Sequence, residues 1–178
     1  MGRRRRLWLL VAVGAGLALA QQAVWAEDQS PLVGKAAPDF TAKGLQGEPV
    51  ALSTLKGSPV VLCLWASWCP YCRKELPVLA EVHNKLKSQG LKVVAVSLDR
   101  DEPALRKYLA DNPSPLTVLY LPPDAARQVR EAYKVRGTPT VLYLDKGGVI
   151  KSVTVDCRPK QETLTHIQEL GVDTSAAK

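Results

Sequence analysis

The sequence predicts an α/β domain built on a mixed central sheet with helices on its faces. Three observations lead there. Nearly unbroken apolar runs of strand length (Pro59 to Trp65, Leu91 to Leu98, Leu116 to Leu121) alternate with stretches of helical character. Thr138 to Leu144 and Val149 to Val155 are joined by Asp145-Lys146-Gly147-Gly148, a hairpin signal that brings antiparallel pairing into the sheet. The first buried run ends at Trp68-Cys69-Pro70-Tyr71-Cys72, and a helical stretch from Arg73 to Lys87 begins just after it.

The chain starts with Arg3-Arg4-Arg5-Arg6, then Leu7 to Ala20 without a polar side chain, then Gln21, Gln22 and a short segment ending at Ala26. A basic segment, an apolar segment and a small-residue cleavage site form a secretory signal peptide, expected over residues 1–26. An uncleaved membrane anchor is the competing reading, because Leu7 to Ala26 has about the twenty residues that a bilayer requires. Either way the domain is expected outside the cytoplasm, in the periplasm or an equivalent compartment, where disulfides persist.

Residues 27–35 read as a linker, 36–172 as the domain and 173–178 as a C-terminal tail. Ala37 to Ala42 and Glu48 to Leu52 flank Lys43-Gly44-Leu45-Gln46-Gly47 and suggest an N-terminal hairpin. Ser53 to Gly57 suits one capped helical turn ended by glycine. The helix after Cys72 places Leu76, Leu79, Val82 and Leu86 on one side, with Pro77 expected to kink it. Glu102 to Ala110 reads as a helix stopped by Asn112-Pro113-Ser114-Pro115. Asp124 to Tyr133 reads as another, with Asp124 as its cap, and Gln161 to Leu170 as the last.

The formal net charge of the 178 residues is +7, but four of the 24 basic side chains lie in the leader. Without them 20 basic side chains face 17 acidic ones, which gives no case for nucleic-acid binding. A chain of this size buries about 70% of its unfolded surface and needs no disulfide staples. The close cysteine pair is therefore read as chemical rather than structural.

Spacing explains that chemistry. In the first turn of a helix, residues three apart share a face, so the two sulfurs can meet. The unpaired N–H groups and the positive end of the helix dipole stabilise a thiolate there. Pro70 fits the first helical position, where its missing N–H costs nothing. Arg73 and Lys74 add positive charge, so the Cys69 thiol, the more exposed of the pair, is expected to be acidified.

With these pieces placed, the chain resembles the thioredoxin-like superfamily, and within it the exported thiol–disulfide oxidoreductases of the TlpA/ResA type. The matching segments are Gly34 to Phe40, Leu52 to Gly57, Trp65 to Pro77 and Tyr133 to Thr140, so the resemblance spans about residues 31 to 172. It implies a thioredoxin-like fold in which the N-terminal hairpin and the helix and strand from Glu102 to Leu121 are additions to the minimal form. It also implies that Cys69 attacks, that Cys72 resolves, and that Pro139 is a cis-proline facing the dithiol. Thr138 would offer backbone hydrogen bonds to a peptide, with Trp68, Pro70 and Tyr71 beside it. Glu75 would tune the cysteines or move a proton to the buried thiol. No cofactor is implied beyond a redox-active Cys69–Cys72 disulfide. The implied partners are a protein thiol or disulfide and a membrane thiol donor, and a monomer is expected. The branch mostly serves reducing tasks, such as preparing apocytochrome cysteines for haem, and so takes part in electron transport.

Two cysteines depart from the pattern. Cys63 occupies a position where relatives usually carry a polar residue under the dithiol, and it reads as a buried hydrophobe, the alternative being a third thiol coupled to the pair. Cys157 follows the last strand, whose end should point towards the active-site edge. It reads either as an unpaired cysteine or as one that exchanges disulfides with the site or with a partner. Four rival functions remain beside the reductant, one of them a non-catalytic partner-binding module of the same fold, against which the intact cysteine pair and proline argue. A dithiol oxidant of exported proteins differs only in potential, which Pro70-Tyr71 does not determine. A thiol peroxidase is allowed by Ala37-Pro38-Asp39-Phe40, although Ala66 stands where that family places a threonine. A zinc site would need two more ligands from Cys63, Cys157, His83 and His166, none at ligand spacing.

Overall fold

The computed structural model describes residues 30–178. The expected signal peptide lies outside the described residues, as do the first residues of the expected linker. Seven strands form one sheet in the order β2-β1-β5-β4-β3-β6-β7. They are β1 (Thr41–Gly44), β2 (Pro49–Ala51), β3 (Val60–Trp65), β4 (Lys92–Ser97), β5 (Thr117–Tyr120), β6 (Thr140–Leu144) and β7 (Ile150–Val155). Among the described residues, four α-helices accompany them: α1 (Pro70–Leu86), α2 (Glu102–Asp111), α3 (Pro123–Ala132) and α4 (Lys160–Glu169).

β3, β4 and β5 run parallel, and antiparallel pairs close both edges: β6–β7 on β3, and β1–β2 on β5. This is the expected mixed sheet. The helix and strand read as an addition are α2 and β5, and β5 lies between β4 and the N-terminal hairpin.

All six residues of β3 are buried, as a strand covered on both faces requires. Period-2 alternation divides them between two cores. Val61, Cys63 and Trp65 face α1, α4 and Leu105 of α2. Val60, Leu62 and Leu64 face Ala126, Val129 and Tyr133 of the α3 segment, with Leu32 and Phe40 from the N-terminal side. Each fully buried Leu or Val contributes about 1.5–3 kcal/mol. Tyr133 ties the N-terminal segment down: its hydroxyl donates to the Pro38 carbonyl and its ring meets Phe40 edge-on at 6.0 Å.

Three local expectations are corrected. The first strand begins at Thr41 rather than Ala37. Residues 34–37 instead bond to the β6–β7 hairpin through Gly34 N–H to Ile150 O, Ile150 N–H to Lys35 O and Ala37 N–H to Gly148 O. The turn at 52–55 has no local cap. Asp39 reaches in and accepts from Ser53 N–H at 2.9 Å. Asp124 does not cap α3 either: Pro122 holds that position and Pro123 takes the first helical one. Asp124 sits in the first turn and pairs with Arg127 at 2.9 Å. At the other end Thr174 and Ala177 are fully buried, and Gln89 exchanges two hydrogen bonds with the Asp173 backbone.

Candidate active site

β3 ends beneath the start of α1, and the turn between them carries Cys69. Cys69 is the N-cap of α1, with extended φ and ψ of −82° and 117°, and Pro70 opens the helix as the spacing requires. Its Sγ accepts the Cys72 N–H at 3.3 Å and lies 3.1 Å from the Thr138 carbonyl, to which its thiol proton can be donated. The Thr138–Pro139 bond is cis, and the Thr138 carbonyl is the part of this loop that meets the dithiol. All four cysteines are free thiols, so this is the geometry of the reduced state.

The two thiols are pushed in opposite directions. Burial raises Cys69, but hydrogen bonds from the Cys72 and Thr138 side chains, and from the Cys72 and Tyr71 backbone, outweigh it and bring the thiol below 9.0. Burial, then the bond to Cys69, pushes Cys72 up to about 12. Cys69, 3% exposed, is thus the more acidic of the two thiols, and fully buried Cys72 is the one that keeps its proton. The charges expected to do this are otherwise engaged. Arg73 Nε donates to the Ser67 carbonyl at 2.8 Å, and its guanidinium lies 5.2 Å from the centre of the Tyr108 ring. Lys74 lies over Tyr71.

Trp68 and Tyr71 flank Cys69 and are 62% and 56% exposed, the large hydrophobic side chains left uncovered among the described residues. Trp68 also lines a cleft of about 880 Å³ between the α2 and α3 ends, with Arg100, Arg127 and Arg130 on its walls. Glu75 is 1% exposed, one turn beyond Cys72, and its Oε2 accepts the Arg158 N–H at 3.1 Å. It does not sit at the helix surface. Cys63 is fully buried beneath the dithiol, where burial, and then Cys72 and Glu75, hold its thiol well above 9.0. Cys157 lies at the edge of the same cluster, partly exposed. Among the described residues, no group of three or more His, Cys, Asp or Glu side chains is placed to hold a metal ion.

The sequence reading missed Asp99. Its buried carboxylate accepts from Ser67 N–H at 2.9 Å, Ser67 Oγ at 2.8 Å and Ser97 Oγ at 2.6 Å, and so fixes the turn that delivers Trp68 and Cys69. An aspartate directly after a buried apolar strand was the available signal, since a carboxylate there needs donors.

The chain matches the AhpC/TSA family over residues 33–153. It is 34% identical to the thiol-disulfide oxidoreductase ResA of Bacillus subtilis over 160 residues, which is 86% of this chain and 88% of that one. The ResA of Bacillus cereus is 28% identical over 168 residues, or 93% and 94% of the two chains. Among solved structures, a protein from Chlorobium tepidum assigned as the thiol:disulfide interchange protein DsbE superposes with a TM-score of 0.72 at 36% identity. That match covers 80% of this chain and 97% of the other. A thiol:disulfide interchange protein from a Bacteroides species gives 0.71 at 29% identity, covering 78% and 90%. The mixed sheet, the cysteine pair at its strand–helix junction and these matches agree: the chain belongs to the AhpC/TSA family, as a thioredoxin-like thiol–disulfide oxidoreductase of the TlpA/ResA type.

Proposed function

We propose that the protein reduces specific protein disulfides outside the cytoplasm, with Cys69 attacking and Cys72 resolving. The Cys69 thiolate attacks one sulfur of the substrate disulfide. A Cys69–substrate disulfide forms and the first substrate thiolate leaves. Cys72 then gives up its proton, with Glu75 the nearby acceptor, and attacks Cys69 Sγ. The Cys69–Cys72 disulfide forms, the second substrate thiolate leaves, and two electrons have passed to the substrate. The 138–139 backbone, Trp68, Pro70 and Tyr71 form the surface on which the substrate peptide lies. No cofactor is required beyond the dithiol itself, and a membrane thiol donor would restore it after each turnover. Export by the N-terminal leader, with or without a retained anchor, would place the protein where such disulfides form.

The observation that carries the reducing direction is the weak acidity of Cys72, whose thiol is pushed up to about 12, chiefly by burial. A thiol of high pKa is a strong nucleophile and a poor leaving group, so the disulfide that it forms is stable and the dithiol is reducing. The oxidant reading rests on the lowered Cys69 alone, and there burial works against the hydrogen bonds. The resemblance to the TlpA/ResA type supports apocytochrome cysteines as one substrate. The test is capture. Cys72→Ala mixed with a peptide disulfide should accumulate a mixed disulfide on Cys69, seen by mass spectrometry and released by a small thiol. If Cys69 captures nothing, the reading is wrong.

A further inference from the structure

The turn after β7 is tied to both halves of the site. Asp156, at a left-handed φ of 68°, donates its N–H to the Pro139 carbonyl at 3.0 Å. Two residues on, Arg158 donates its N–H to Glu75 Oε2 at 3.1 Å. Cys157 stands between them. The second carboxylate oxygen, Glu75 Oε1, is buried and meets no donor at full hydrogen-bond geometry, although the residue is only 1% exposed. A buried carboxylate oxygen left unpaired costs far more than an exposed one. Cys157, between the two tied residues Asp156 and Arg158, carries the thiol that acts on this carboxylate. The two side chains interact directly, and after burial the carboxylate is the main influence holding that thiol protonated.

We infer that Cys157 is a positioning residue of the dithiol site: its S–H, together with the Arg158 N–H, holds the Glu75 carboxylate in the orientation that accepts the proton of Cys72. The inference rests on the reading that Cys69 attacks and Cys72 resolves. The other groups acting around Glu75 do not replace this thiol. Cys63 on β3 and Tyr143 on β6 both feel its charge and are held neutral by their burial. Cys72 is the proton donor itself, and Lys74 acts on Cys157. The Arg158 guanidinium turns away, with Nε donating to the Val155 carbonyl and lying 3.7 Å from Glu162.

The test separates attack from resolution. The reduced wild-type protein, Cys157→Ala and Cys157→Ser are each mixed with a peptide disulfide. The Cys69–peptide intermediate and the released dithiol are followed by acid quench and mass spectrometry from about pH 5 to about pH 9. Attack should be unchanged in both variants. Resolution should slow about fivefold in Cys157→Ala, the loss of one weak donor. The serine hydroxyl should restore it. Resolution in Cys157→Ala at the wild-type rate overturns the inference, and so does equal slowing in both variants, which is a packing effect. If the wild type forms no intermediate, the attack reading fails first and takes the inference with it.

Discussion

At the scale of the residue, Cys69 and Cys72 share one helical turn and differ in acidity because one accepts hydrogen bonds where the other loses water. Cys69 should therefore be alkylated with a pH midpoint below 9.0, and Cys72→Ala, which removes a donor, should move that midpoint upward. The same shifts act on stability. Cys72 is raised in the folded state, so its contribution is fully present below the unfolded value near 9.0 and is lost as pH rises towards about 12. Denaturant titration of the reduced protein should show stability falling across that window, whereas the oxidised protein, with no Cys72 proton to lose, should lack this component. The pair was legible in the sequence because its spacing is local. The Glu75–Arg158 bond was not, because it joins residues 83 apart and depends on how β7 turns. The resemblance supplied Pro139 and left Cys157 open.

At the scale of the element, the β3–α1 turn is held from outside as well as by its own cap. Asp99 binds Ser67 from the end of β4, and the Ser67 carbonyl receives Arg73, which stacks on Tyr108 of α2. The added helix is thereby linked to the active-site turn. Asp99→Ala leaves buried donors on Ser67 and Ser97 unpaired and should cost about 2–4 kcal/mol, read as a lower denaturant midpoint. Leu79 of α1 is fully buried, and Leu79→Ala should cost about 2–5 kcal/mol through the cavity that it opens. Apolar periodicity marks α1, and start and stop signals mark the other described α-helices. They did not reveal how α3 begins, because Pro123 fits the first helical position and leaves Asp124 to pair with Arg127.

At the scale of the molecule, much of the sheet order follows from patterns that the sequence displays: three nearly unbroken apolar runs belong at the centre, and two hairpins at the edges. What the pattern does not contain is the position of β5, which enters between β4 and β1 and carries the N-terminal hairpin outward. That pairing is between chain segments far apart, and alternation alone cannot specify it. The result places the dithiol turn, the cis Thr138–Pro139 bond and the 156–158 turn at one end of the sheet. Two cores lie behind them, and the exposed Trp68 and Tyr71 stand in front. The equilibrium reduction potential of the Cys69–Cys72 pair, followed by Trp68 fluorescence against a thiol buffer, tests the reducing assignment most directly. The account predicts a value near or below about −250 mV, and a value near about −120 mV would make the protein an oxidant and contradict it.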